Sequence, residues 1–347
     1  MTVSAGAALI ELADHVKLDA SVGVTNFPVF LSPRPAELAE SPVAFVRWFG
    51  AHSNALMNLC HQSGAIVLRG FAVHDTADFA AVVANIDMPA FGYAGGATPR
   101  TALSDKVFES TRYPAQYKLQ LHQEMAYLPH FPSALVFFCR IAAATGGETI
   151  IGDMRDFGRS LPAAFASDLR NKGVRYVRNY RDPQWRTGHT LMDDYHRTWP
   201  DALGTSDRAE AEQLCREMGV EPRWEANGSL SMIYVGPGFV KHPATGEEVW
   251  FNQLVTQFYA PELIGEERFD LIAQHYTKSS PPPVQVTFGD GTPFDSGMIV
   301  DFARSIAARE VAFPWRAGDI MILDNFLTAH GRNPFTGQRD VQVALVA

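Results

Sequence analysis

The chain has 347 residues, 46% hydrophobic and 19% charged, an ordinary balance for a soluble globular protein with a substantial core. A net charge of −9 and a pI near 5.6 argue against nucleic acid or an anionic membrane as main partner. Cys60, Cys139 and Cys215 are few, odd in number and far apart, which is neither a disulfide framework nor a CxxC metal site and points to a reducing cytoplasm.

The N-terminal "MTVSAGAALIELADHVKLD" has a short apolar patch without a basic flank, interrupted by Glu11 and Asp14, and is not read as a signal peptide. No run approaches the roughly 18 apolar residues of a membrane span. The segment 41–64 has helical periodicity with a Ser-Pro start and a Gly stop, "AIVLRGF" (65–71) reads as a strand, and 75–86 as a capped helix. Segment 97–116 gives no clear pattern. Strands follow in "YKLQLHQEMAY", "SALVFFCRIAA" and, after Gly146-Gly147, "ETIIGDM". From 155 to about 315 the pattern is irregular and partly helical, with hairpin signals at Asn227-Gly228 and Thr245-Gly246. Strands return in "DIMILDN" and "RDVQVALV". Regular βαβ alternation is absent, so the pattern predicts a mainly β barrel or sandwich with helices outside.

In "LQLHQEMAYLPHFP" an extended strand would project His122 and Glu124 on one face, with Lys118 and Gln120 before them. That face is either a solvated surface or the wall of a polar cavity. Eleven histidines among many carboxylates make one HxE expected by chance, although His122 is the only histidine with a carboxylate two residues on. A metal needs a third ligand, and His330 offers it just beyond an apolar strand. If that strand pairs with the one opened by Arg339, the turn between them folds Arg339 back toward His330. Two histidines and a carboxylate form the facial triad of non-heme Fe(II) oxygenases, and an arginine fork grips a carboxylate.

With "LHQEMAYLPHFP", "TGGETIIGDMR" and "LDNFLTAHGRNPFTGQRDVQVAL" in this order, the chain resembles the taurine dioxygenase family of Fe(II)/2-oxoglutarate oxygenases, in its clavaminate synthase-like branch. "FPVFLSP", "GAIVLRGF", "TGEEVWFNQL" and "TFGDG" extend the likeness over most of the chain. The resemblance implies that His122, Glu124 and His330 hold Fe(II), that Arg339 pairs with the distal carboxylate of 2-oxoglutarate, and that Thr149 hydrogen-bonds this cosubstrate. It implies one domain over residues 1–347, a double-stranded β-helix (jelly roll) core with flanking helices, and a long partly helical insertion at about 155–315. With O2, the implied chemistry is hydroxylation of an unactivated C–H of an amino acid or amino-acid-derived natural-product intermediate, releasing succinate and CO2. Desaturation or ring formation uses the same cofactors. The substrate is a small molecule, free or tethered to a carrier protein.

Two positions depart from the family pattern. Glu124 replaces the commoner Asp, but it is still a carboxylate where related halogenases have a small residue, which argues for oxygenation. Val343 stands where taurine-specific members carry a sulfonate-binding arginine, which argues against taurine. Lys118, Asn252 and Arg332 are candidate substrate contacts, set against a solvated or structural lysine, a satisfied core amide like Gln253, and an arginine that orients its surroundings. His189 and His196, with Asp193 and Asp194 between, read as surface histidines on a loop, and "FGDG" (288–291) as a turn. A zinc hydrolase with the same three ligands and a non-catalytic jelly-roll binding protein are the rival readings. Neither has a use for both Thr149 and Arg339.

Overall fold

A computed structural model of the chain describes residues 3–19, 27–89, 91, 103, 107–109, 113–186, 188, 193, 195–276 and 281–347. The predicted helix is Pro42–Ser63, its first turn held by Ser41, whose hydroxyl accepts from Ala44 N–H at 3.2 Å. It lies on a seven-stranded sheet whose order is Val16–Asp19, Val29–Pro33, Ala65–Leu68, Ile320–Asp324, Ala134–Ile141, Asp340–Val346 and Val107–Glu109. Among the described residues of this sheet, only Val29–Pro33 and Ala65–Leu68 pair in parallel. The period of two sorts the side chains of this sheet. Ile66, Val136, Phe138 and Ile322 pack with Phe45, Phe49 and Leu56 of the helix, while Val67, Leu135, Phe137, Leu323 and Val343 face the other way.

Across that second core lies a three-stranded sheet, with Thr328–Arg332 between Leu119–His122 and Thr149–Asp153. Ile151 joins the core shared with the large sheet, whereas Leu121, Ile150 and Ala329 point outward and are covered by Phe157, Trp250 and Phe302. The central strand is therefore covered on both faces and buried at every position, while the edge strand Leu119–His122 stays partly exposed.

The covering residues come from the 155–315 segment, whose strands join into a sheet that the mixed sequence pattern did not specify. Besides helices such as Ala163–Lys172 and Ser296–Ala307, the segment builds its own four-stranded antiparallel sheet. Val174–Tyr180 sits between Leu230–Gly236 and Val284–Phe288, and Glu221–Trp224 forms an edge. Val284–Phe288 pairs with a strand distant in sequence, and such pairing leaves no periodic trace. Both predicted hairpins are present. Among the described residues no helix is long and apolar enough to cross a membrane.

One glycine sets the spacing of the small sheet. A Cβ on Gly331 would lie 2.3 Å from the Leu119 carbonyl oxygen and 3.0 Å from Gln120 backbone, so any side chain there forces the strands apart. We expect Gly331→Ala to lower the unfolding free energy by about 1–3 kcal/mol, the usual cost of overpacking, in denaturant titration. A loss near zero would show that the strand pair tolerates the separation.

Candidate metal centre

The strand Leu119–His122 stops at His122, so Glu124 is not a strand residue as its spacing predicted. It sits in a turn whose next residue, Met125, has φ 57°. The turn is held by buried amides. Gln123 donates through Nε2 to the carbonyls of Trp250 (2.9 Å) and Phe326 (2.7 Å), and Gln253 Nε2 donates to the Gln123 carbonyl at 2.6 Å. Asn325 Oδ1 accepts from Glu124 N–H at 2.7 Å, and its Nδ2 donates to the Glu124 carbonyl at 3.0 Å.

This turn presents Glu124 to two histidines that are direct cross-strand partners, His122 and His330. Their ring centroids are 4.4 Å apart, His330 Nε2 lies 3.6 Å from Glu124 Oε2, and one ligand atom from each of the three lies within 4.8 Å of the others. Glu124 is 3% exposed and His330 5%. The donor set can be tested against a divalent cation by tautomer. His122 Nδ1 is 2.9 Å from the Gln120 carbonyl, which only accepts, so Nδ1 carries the proton and Nε2 keeps a lone pair. His330 Nδ1 is buried with no hydrogen-bond partner among the described residues. A partnerless nitrogen gives His330 no tautomeric preference that would oppose ligation by Nε2. The residues fit the metal.

Register places the other predicted residues. His330 is opposite Ile151 and Arg332 opposite Thr149, so Thr149, Ile151, His330 and Arg332 share the face turned to the large sheet. Thr149 is 3% exposed, and its Oγ1 accepts from Trp315 Nε1 at 3.1 Å. The expected pairing of the His330 strand with the Arg339 strand does not occur. Asp340–Val346 belongs to the large sheet, beside Ala134–Ile141 and Val107–Glu109. The intervening "NPFTGQ" therefore passes between sheets and does not close a hairpin. Arg339 still returns to the small sheet, because its Nε donates to the Gly147 carbonyl at 2.9 Å. Gly147 is at φ 73°, and a Cβ there would come 3.1 Å from Arg339 Cδ. Burial and the like charge of Arg332 push Arg339 down to about 10, so an anion beside it would be stabilised.

The three substrate candidates have structural partners. Arg332 donates to the carbonyls of Tyr113 (2.9 Å), Pro114 (2.8 Å) and Tyr117 (3.0 Å), and burial lowers its pKa. Asn252 donates to the Gly238 carbonyl at 2.9 Å and accepts from Leu254 N–H at 3.1 Å. Lys118 pairs with Glu310 at 2.5 Å, yet it also lines a cavity of about 440 Å³ that reaches His122 and Glu124. Tyr117, Tyr127, Tyr259 and Gln253 line the same cavity. His196 is not on the surface. It is 1% exposed, its Nε2 is 2.9 Å from the Asn179 carbonyl, and burial lowers its pKa to about 4. His189 and Asp194 lie outside the described residues. The 288–291 segment is a turn, as read. Sequence reasoning missed Asn325, whose signal was an amide directly after the apolar run "IMILD".

The chain matches the family model described as "Taurine catabolism dioxygenase TauD, TfdA family" over residues 34–345. It is 31% identical to a clavaminate synthase-like protein of Arabidopsis thaliana over 329 residues, covering 92% of this chain and 93% of that protein. It is 28% identical to the dapdiamide synthesis protein DdaC of Enterobacter agglomerans, covering 82% of each. The fold is similar to the crystal structure of PvcB from Pseudomonas aeruginosa, with a TM-score of 0.52 and 15% identity over 95% of this chain and 91% of that one. The chain belongs to the TauD/TfdA family, and it is a dioxygenase whose cofactors are Fe(II), 2-oxoglutarate and O2.

Proposed function

We propose that this enzyme is a one-domain oxygenase with a jelly-roll core that hydroxylates an amino acid or an amino-acid-derived natural-product intermediate. The observation that carries the reading is the approach of His122, Glu124 and His330 on the sheet face that also bears Thr149. The similarity to DdaC, whose name records dapdiamide synthesis, supports the substrate class. A cavity of about 440 Å³ beside His122 and Glu124 is within the usual range for small-molecule sites, whether the substrate arrives free or on a carrier protein. Three buried free cysteines support a reducing cytoplasm.

In this reading His122, Glu124 and His330 would hold Fe(II), which with 2-oxoglutarate and O2 supplies a two-electron oxidation of substrate coupled to release of succinate and CO2. The protein's part is placement. Arg339, drawn to the small sheet by Gly147, orients the distal carboxylate of 2-oxoglutarate. Thr149 Oγ1 already accepts from Trp315, so its own hydroxyl hydrogen is available to a cosubstrate oxygen. Glu124 fills the position whose vacancy would admit a halide, which favours oxygenation. Tyrosines and amides of the cavity wall orient the substrate, and that placement selects hydroxylation over desaturation or ring formation.

Anaerobic titration with Fe(II) and 2-oxoglutarate should give a visible charge-transfer band, and His122→Ala should abolish it. A folded parent protein without the band would refute the reading. Arg339→Ala should weaken 2-oxoglutarate about 10–100-fold, the loss of one charged hydrogen-bonding partner, while leaving the band at saturation. Unchanged affinity would remove the arginine from this role. The pH dependence has a defined sign. The protonated guanidinium is the binding form, so affinity should hold from neutrality upward and fall as pH rises through about 10. An affinity that falls well below that pH would assign the dependence to another group.

A further inference from the structure

A second group of metal-ligand types, His61, His242 and Asp324, also lies within 4.8 Å of itself. Its hydrogen bonds exclude a metal. His242 Nδ1 accepts from Ala244 N–H (3.2 Å) and Thr245 N–H (3.0 Å), so the ring proton is on Nε2, which donates to Asp324 Oδ2 at 2.8 Å. A protonated nitrogen has no lone pair to give. His61 Nδ1 meets the same oxygen at 2.7 Å, while Oδ1 accepts from Phe326 N–H (2.9 Å) and Leu327 N–H (3.1 Å). Burial would raise the Asp324 carboxyl, but hydrogen bonds from His242 and His61 outweigh it and hold it below the usual carboxylate range.

The cluster grips both sides of Asn325. Ahead of it, Asp324 N–H donates to the Gly64 carbonyl at 2.9 Å, and behind it the Asp324 side chain holds the next two N–H groups. Asn325 N–H itself donates to the Ser133 carbonyl at 2.9 Å. With its backbone so fixed, the Asn325 amide binds Glu124 at both N–H and C=O, and Pro132 C=O at 2.8 Å. The Glu124 backbone N–H and C=O are both hydrogen-bonded by this one side chain. Glu124 has no strand ladder to hold it. Three residues after Asn325, its own turn leads into the strand Thr328–Arg332, which carries His330.

We propose that Asn325, braced by the His61–Asp324–His242 cluster, is the positioning residue that sets Glu124 at ligand distance from His330 before metal arrives. The proposal rests on the reading of His122, Glu124 and His330 as the metal ligands. One turn then governs two ligands, Glu124 through an amide and His330 through the chain. Buried groups that orient a ligand typically matter about 10–100-fold in metal affinity.

The test uses Co(II) added anaerobically to the full-length protein, followed by calorimetry and by the visible spectrum, which reports ligand geometry. The parent should bind one equivalent and His122→Ala should not, and a parent that fails to bind overturns the metal reading itself. Asn325→Ala should bind about 10–100-fold more weakly with an altered spectrum, at a melting temperature that shows a folded protein. Parent-like affinity and spectrum in folded Asn325→Ala would overturn only the positioning proposal. The His242 pair tests the brace independently should Asn325→Ala not fold. His242→Leu removes the donor to Asp324, whereas the amide of His242→Gln restores one. The proposal requires the glutamine variant to rescue Co(II) affinity relative to leucine, and equal affinities in the two, or failure of the glutamine variant to bind, would overturn it.

Discussion

The cross-strand pairing of His330 with His122 is the contact on which the rest of the site depends. Two rings can meet at 4.4 Å across strands only if nothing beside them holds the backbones apart. Gly331 meets that condition, since a Cβ at that point would overlap the Leu119 carbonyl. The sequence "AHGR" thus alternates function and clearance. His330 turns its ring toward Glu124, Gly331 brings the neighbouring strand near, and Arg332 reaches the Tyr113, Pro114 and Tyr117 carbonyls that lead into that strand. Arg332 is then a fastener for the strand that presents His122, which accounts for its burial better than substrate contact does.

The pairing is covered on both faces of the small sheet and open to the cavity beside His122 and Glu124. The large sheet closes one face with Phe137, whose ring centroid lies 5.5 Å from that of His330, and the 155–315 segment closes the other over Leu121, Ile150 and Ala329. In such surroundings a charge interacts more strongly and costs more to leave uncompensated. Burial and the nearby Arg332 both lower the pKa of Arg339, and an anion bound beside it would oppose both.

How much of this was legible depended on whether a residue's partner was near in sequence. Helix 42–63, the two hairpins and the buried strand 134–141 follow from local caps, turns and apolar runs, and all are present. His122, Glu124 and His330 were legible as a donor set because a residue type carries its chemistry wherever the fold puts it. Their surroundings were not. That Asp340–Val346 pairs in the large sheet, that Val284–Phe288 adds to a sheet within the insertion, and that His196 is buried are all set by contacts remote in sequence. Alternation misled at one informative place: HxE suggests a continuous strand, but the strand ends at His122 and the carboxylate is delivered by a turn.

That ending gives Asn325 its importance. A ligand on a strand inherits its position from the ladder, residue by residue, whereas a ligand in a turn must be held by side chains. The chain supplies them in pairs, with Gln123 and Gln253 on one side of the turn and Asn325 on Glu124 itself. All three are buried amides that donate to backbone carbonyls, so displacement of any one would strand polar groups in an apolar interior at a cost of about 1–3 kcal/mol each. The turn is therefore stiff although it belongs to no sheet.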